Sequence, residues 1–514
     1  MQRRRMHVVC KKFLVGAVVI ATFLVPIWSS FEKPASPMDE GTLLVYPELI
    51  LKGQVPYRDF ETFYGPANLV VLSATYAGFG TSIFTERVVG LLYRLLVLVA
   101  LFVLIQRWST SIAAGCLIVA GFVLMLTTLP AYAWMGGIMC LLWSLWCIAK
   151  PDSARRCFWG GVLAGITLLY RVDLVPAIAI SSLPLFLLMN PGSRWRYLGG
   201  ATLALLPFGW LTVVAGPQQL FNNLFLFPVI YSNPARRLPF SWAGDQVRFL
   251  LFAHVIATLI NLTAGVVATR LDRRAAEPRL LLGMALLGLG VTHQVLQRVD
   301  SSHVLFAAFI ALGLLPLSLL VLRGHWAREW PDWIQVLLTT GAILILLSIT
   351  VPALAVHWRR ELSSSWSQQP VDTAFVAHSG RLFPILSLHE ARDINLMLKR
   401  LQALARPNQR LFVGPADLRR TNNSDTYIYH LMPQLHPATY FLEMNPGSAN
   451  RLHSQLATDV ASADWLVLNH AWDIWNEPND SIRYRSDAPM KVVRTEFELC
   501  NRYGAFELYR HRSQ

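Results

Sequence analysis

Charge is scarce in this chain. Only 15% of its 514 residues are Asp, Glu, Lys or Arg, against roughly 25% in ordinary soluble proteins. Hydrophobic residues reach 54%, and mean hydropathy is +0.41. That excludes a disordered chain and an ordinary soluble globule. Cysteine is scarce too, with six in all and no CxxC pair. Cys10, Cys116, Cys140, Cys147 and Cys157 fall in or beside apolar runs, and Cys500 stands alone. Neither a zinc site nor a disulfide framework is indicated. No P-loop, GxGxxG, HExxH or GxSxG string occurs, so nucleotide, zinc-peptidase and esterase readings lack support.

What the chain has is apolar length. A run of about 17–25 apolar residues can span a bilayer. Eleven spans are expected, at 13–30, 87–105, 111–128, 134–149, 158–170, 174–189, 197–215, 244–268, 280–297, 303–322 and 333–355. The run 67–80 is too short and is placed at the interface. The head MQRRRMHVVCKK resembles a signal sequence, but no small-residue cleavage site follows, so a retained first helix is expected.

The formal charge of +14 at first suggests nucleic acid. Its distribution says otherwise. With the N-terminus in the cytoplasm, the connections on that side hold 17 of the 45 basic residues and 5 of the 31 acidic ones. This is the positive-inside pattern, with contact to anionic lipid headgroups, and no nucleic-acid partner is expected. An odd span count leaves the C-terminus outside. The expected location is a bacterial inner or plasma membrane.

Residues 1–356 form the expected transmembrane domain, and 357–514 an extracytoplasmic α/β domain of soluble composition. In the tail, 410–414, 438–443 and 464–469 read as strands, and 391–404 and 449–463 as helices. A closing strand pair, KVVRTEFEL and GAFELYRHR, turns at Tyr503-Gly504. Two long outer loops, 31–86 and 216–243, are where chemistry is expected.

The first loop carries Asp39 and Glu40 at the outer surface. Two readings stand. Adjacent carboxylates serve as a general base, or hold a divalent cation (Mg or Mn) beside a phosphate. Alternatively, they merely complement a helix N-terminus. Asp59 and Glu61, near Arg58 and Tyr64, form a second acidic cluster, either solvated or substrate-binding. Arg171 and Asp173 lie between two spans, as a mutual ion pair or a substrate contact. HQVLQRVDSSH (293–303) is a dense polar cluster at a helix end. There His293 and Gln297 share one helical face, and Gln294 and Arg298 the next. Arg298, with Asp300 and His303 following, suits a phosphate, unless Arg298 simply pairs with Asp300. Arg94 and His254 read as structural contacts between helices, and Arg236 and Arg237 as a solvated turn.

The loop sequence MDEG, a helix ending ILKG, then PYRDF, FYGP, a short apolar helix ending in Gly80, and Glu86-Arg87 opening the next span resembles the GT-C fold glycosyltransferases. These include protein O-mannosyltransferases and lipid A aminoarabinose transferases. The resemblance implies Asp39 as catalytic base, with Glu40 second, and a polyprenyl-phosphate sugar as donor. It also implies donor-phosphate binding by Arg298, Arg171 and His303. Asp59, Glu61, Tyr64, Asp173, His293 and Gln297 are the expected substrate contacts. The aminoarabinose branch has Glu-Lys-Pro where this chain reads DFETFYGP, so no lysine role carries over. The expected activity is inverting transfer to an extracytoplasmic glycan, lipid or protein. A lipid-linked oligosaccharide ligase or polymerase is the alternative. A non-enzymatic transporter or scaffold is the third reading; no internal repeat supports transport.

Overall fold

The structure, a computed structural model, describes residues 14–24, 27–126, 128–324, 331–367, 373–483 and 485–513. The head 1–12, with Cys10, and most of the 323–332 connection lie outside these residues.

Each of the eleven expected spans falls on a helix. Among the described residues, six helices are long and apolar enough to cross a membrane: Ile83–Ile105, Pro191–Val214, Asp245–Leu271, Ala276–Gln297, Ser301–Arg323 and Asp332–Thr350. The other five expected spans lie on the shorter Leu14–Leu24, Thr110–Leu124, Ala133–Ile148, Ala154–Tyr170 and Val175–Phe186. The run 67–80, expected at the interface, is the 13-residue helix Ala67–Phe79, stopped at Gly80 with φ +80°. The chain is a polytopic helical membrane protein with a strand-containing C-terminal region.

It packs as two compact units drawn by contact rather than by chain order. The first comprises Met1–Ser30, Gly90–Phe208 and Pro239–Gln369. The second comprises Phe31–Val89, Gly209–Leu238 and Pro370–Gln514. Both long loops, 31–86 and 216–243, thus group mainly with the tail, a division that composition does not reveal.

The first unit is helical, and small residues let its backbones meet. A Cβ at Gly161 would stand 1.9 Å from the Tyr197 carbonyl oxygen, and one at Gly200 2.2 Å from that of Phe158. Arg94 is fully buried and donates to the carbonyls of Gly90 (2.8 Å) and Pro130 (3.1 Å), a structural contact as expected. His254 meets Thr292 Oγ1 at 3.0 Å. The basic connections have a local role as well. Arg107 donates to the Ala149 carbonyl at 3.2 Å, Arg194 to Leu187 at 3.0 Å and Arg279 to Pro184 at 3.2 Å. Cations there satisfy carbonyls at or near helix C-termini.

In the second unit the tail forms two sheets. β1 (Ala374–His378) and β2 (Arg381–Ile385) make an antiparallel hairpin. A five-stranded mixed sheet has the order β4-β3-β5-β7-β6. Its strands are β3 (Arg410–Pro415), β4 (His436–Pro437), β5 (Trp465–Asn469), β6 (Phe497–Tyr503) and β7 (Phe506–His511). β3 runs parallel to β4 and β5, and β7 antiparallel to β5 and β6. Every residue of β5 is buried, as expected for a strand covered on both faces. Phe412, Leu466 and Leu468 pack with Leu456, Val460 and Val493.

Three tail expectations need correction. Residues 438–443 are not a strand. The Tyr440 amide bonds the Asp459 carboxylate at 2.9 Å, and the Tyr440 carbonyl accepts from Glu61 N at 2.8 Å. With those groups occupied, the segment leaves the sheet after β4. The 449–463 helix shrinks to Leu456–Ala461. Upstream, Asn450 Oδ1 accepts from Gly447 N at 2.8 Å, and His453 sits at φ +61°, so side-chain-to-backbone bonds displace helix. KVVRTE belongs to the helix Ala488–Glu496, and only FEL enters β6. The turn at Gly504 (φ +56°) is as read.

Candidate active site

The MDEG motif opens the helix Asp39–Leu51. Its Gly41 is forced by packing: a Cβ there would lie 2.5 Å from the Tyr427 amide nitrogen. The two adjacent acids take opposite environments. Glu40 is buried, and Arg87 Nε donates to its Oε1 at 2.8 Å. Arg87 Nη1 also donates to the Phe31 and Lys33 carbonyls, each at 2.8 Å. The second Glu40 oxygen, Oε2, accepts from Ser36 N at 2.9 Å and fixes the turn leading into the helix. Both Glu40 oxygens are thus occupied within the protein. Asp39 is exposed, and its Oδ2 accepts from Ser36 Oγ at 3.1 Å.

A buried acid pair lies near Asp39. Glu61 accepts from Ser448 Oγ on one oxygen and from Asn445 Nδ2 at 3.2 Å on the other. Asn445 Nδ2 also donates to Glu443 at 2.9 Å. Burial pushes Glu61 up to about 8, and the negative field of Glu443 adds to this; Ser448, Asn445 and Arg236 oppose it. Burial raises Glu443 as well; Asn445 and Arg236 oppose that shift, and the Asp39 charge reinforces it. Arg236 is half-buried, with Nη2 3.7 Å from Met38 Sδ, so it is no solvated turn residue.

The Asp59–Glu61 pair is split, which corrects its reading as one cluster. Tyr57 turns the chain at φ +70°, with its amide donating to the Phe60 carbonyl at 3.0 Å. Asp59 stays near the surface, bound by both ends of the Arg58 fork at 2.8 Å. Glu61 is only 1% exposed. Tyr64 is exposed, and its carbonyl accepts from Tyr57 Oη at 2.7 Å. Tyr440 Oη donates to the Tyr57 carbonyl at 2.7 Å and accepts from Asn223 Nδ2 at 2.7 Å.

In the first unit the structure gathers Arg171, Asp173, His293 and Gln294. Arg171 Nε donates to Asp173 Oδ1 at 2.9 Å, and its Nη2 to Gln294 Oε1 at 3.3 Å. Gln294 Nε2 donates to Asp173 Oδ2 and lies 3.2 Å from His293 Nε2. The Arg171 guanidinium lies 5.4 Å from the Trp134 ring centre. A second group joins Arg298 Nε to Asp300 Oδ2 at 2.8 Å, and Asp300 Oδ1 to His303 Nδ1 at 2.9 Å. Asp300 also caps the Ser301–Arg323 helix, accepting from His303 N at 2.9 Å. Gln297 is half-buried at the end of Thr292–Gln297.

Sequence reasoning left Arg87, Glu443 and Asn445 out of the site and placed Arg236 wrongly. A signal existed for Arg87, because an arginine in the first turn of a long apolar helix needs a partner. Asn445 and Glu443 carried none. Among the described residues, no three His, Cys, Asp or Glu side chains group closely enough to hold a metal ion.

No described protein family matches the sequence, and no curated protein does. Solved structures do. ArnT from Cupriavidus metallidurans bound to undecaprenyl phosphate is 14% identical, covering 96% of this chain and 97% of its own, with a TM-score of 0.54. The same enzyme in the apo state is 13% identical over the same shares, with a TM-score of 0.51. Over almost its whole length, this chain shares the fold of that protein, the GT-C fold.

Proposed function

We propose that the protein is an inverting glycosyltransferase that moves a sugar from a polyprenyl-phosphate donor to an extracytoplasmic glycan, lipid or protein. The observation that carries this reading is the contrast at the MDEG motif. Glu40 is consumed by Arg87 and Ser36, and Asp39 alone presents a carboxylate to solvent. ArnT, whose fold this chain shares, was crystallised with undecaprenyl phosphate, which supports a lipid-phosphate donor.

In this mechanism Asp39 takes the proton from an acceptor hydroxyl. The hydroxyl oxygen attacks the anomeric carbon from the face opposite the phosphate. The C–O bond to phosphate breaks, and polyprenyl phosphate leaves as an anion. A leaving group that is already stabilised needs mainly positioning and fixed positive charge. Arg298 and Arg171 form the ion pairs with Asp300 and Asp173 that were their alternative reading. As cations already held in place they are nevertheless assigned, together with His303, to the donor phosphate. Asp173 orients Arg171 directly, and His293 reaches that group through Gln294. Asp300 holds Arg298 and His303, and Gln297, Tyr64 and Asp59 are the remaining candidate substrate contacts. Glu61 is assigned a positioning role, being buried. Among the described residues no three His, Cys, Asp or Glu side chains group to hold a metal ion, and the steps above are written with the chain's own residues.

The N-terminus is assigned to the cytoplasm and residues 357–514 to the outside, supported by the basic connections. A donor assay tests the activity. Turnover with a single-sugar polyprenyl phosphate is expected. Turnover only with a lipid-pyrophosphate oligosaccharide would instead favour the ligase reading.

A further inference from the structure

The tail sheet has a feature that the transfer step does not use. After β3 the chain passes to β4 on one side, and after β5 it passes to β7 and β6 on the other. Adjacent parallel strands whose outgoing connections diverge leave a crevice beyond their carboxyl ends, the usual ligand position in such sheets. Here the crevice is a cavity of about 290 Å³. Ala416, directly after β3, and His470, directly after β5, both line it.

Its chemistry is specific. Arg419, Arg420 and Arg494 face Asp417 and Asp473, so the formal balance is positive even with His470 neutral. The cations are held in place. Arg419 grips Asp417 through Nε and Nη2 at 2.8 and 3.0 Å. Arg420 Nη2 donates to the Trp475 carbonyl at 2.9 Å and to Asn476 Oδ1 at 2.7 Å, fixing the loop after β5. His470 lies between Asp473 Oδ2 at 2.7 Å and Glu507 at 3.2 Å. Partial burial opposes its protonation, but these two carboxylates outweigh burial and raise its pKa. The other Asp473 oxygen, Oδ1, is buried with no hydrogen-bond donor among the described residues. Trp472 supplies an aromatic wall, pinned by its Nε1 donating to Asp425 at 2.9 Å.

We propose that this cavity binds a short anionic saccharide, one or two sugar rings bearing a carboxylate or phosphate. The guanidinium groups meet the anion. The Asp473 carboxylate, at the cavity wall, accepts from a ring hydroxyl, and the apolar face of a ring lies on Trp472. The volume of about 290 Å³ falls just below the roughly 300–1,000 Å³ range of small-molecule sites, which limits the ligand to one or two rings. Its place as the acceptor subsite rests on the transferase reading; the binding itself does not.

The test is calorimetric titration of the full-length protein in detergent. The probes are a uronic-acid disaccharide, a hexose 6-phosphate, a neutral disaccharide and inorganic phosphate. Saturable binding of at least one anionic sugar is expected, about tenfold or more tighter than the neutral disaccharide or phosphate alone. Arg494 is exposed, and Arg494→Glu should weaken that binding by about tenfold. Failure of both anionic sugars to bind overturns the proposal. So does equal affinity for the neutral sugar or for phosphate alone, or no effect of Arg494→Glu. The Asp39→Asn protein should bind the saccharide as the wild type does, so a failed binding site and a failed transfer reaction are separately visible.

Discussion

Arg87 and Glu40 form an ion pair 2.8 Å long in which both side chains are almost completely buried. Because Arg87 also holds the Phe31 and Lys33 carbonyls, the pair ties the start of the first long loop to the start of the next long helix. Removing one partner strands a buried charge, which costs about 3–5 kcal/mol. Glu40→Ala should therefore lower the thermal unfolding temperature markedly, and Asp39→Ala should not. Differential scanning fluorimetry in detergent checks this. Equal, small shifts in the two variants would show that Glu40 is not structural.

Gly41 predicts a steric penalty at the next position. The Tyr427 amide leaves no room for a methyl group, so Gly41→Ala must push the helix and the Tyr427 segment apart. Overpacking of this kind costs about 1–3 kcal/mol. The same melting assay reads it, and an unchanged midpoint would contradict the close approach.

Glu61 predicts how stability depends on pH. Its folded pKa of about 8 lies above its ordinary value of 4.5, because burial and then Glu443 disfavour the charge. The folded state thus holds a proton that the unfolded state has lost. Stability from this group is fully present below pH 4.5 and is lost as pH rises through 8. The slope approaches about 1.4 kcal/mol per pH unit within that window. Glu61→Gln should flatten the melting temperature between pH 6 and 9. An unchanged slope in that variant would assign the dependence to another group.

Much of this was legible in the sequence, and the reasons differ by element. Apolar runs reveal helices because burial in lipid demands length and composition, which are local properties. The strands 410–414 and 464–469 were legible because a strand buried in a protein core is a short apolar run, again a local property. The run 438–443 looked equally strand-like, yet Asp459 and Glu61 capture its hydrogen-bonding groups. Those partners are remote in sequence, and local propensity cannot see them. The site divides likewise. Asp39 stood out through the MDEG pattern. Neither the burial of Glu61 against Ser448 and Asn445 nor the role of Gln294 at Asp173 can be read from neighbouring residues.

Arg298 predicts a kinetic signature. If it holds the donor phosphate, Arg298→Ala should raise KM for the lipid-phosphate sugar by about tenfold, the worth of one charge-assisted hydrogen bond. KM for the acceptor should stay near that of the wild type. An increase confined to the acceptor KM would remove Arg298 from donor binding.

The most direct measurement is transfer by Asp39→Asn, with melting and donor binding followed in the same preparation. The substitution keeps size and the Ser36 contact but removes the base. The account predicts that transfer is abolished while the melting temperature and donor affinity stay those of the wild type. Wild-type turnover in Asp39→Asn would contradict it.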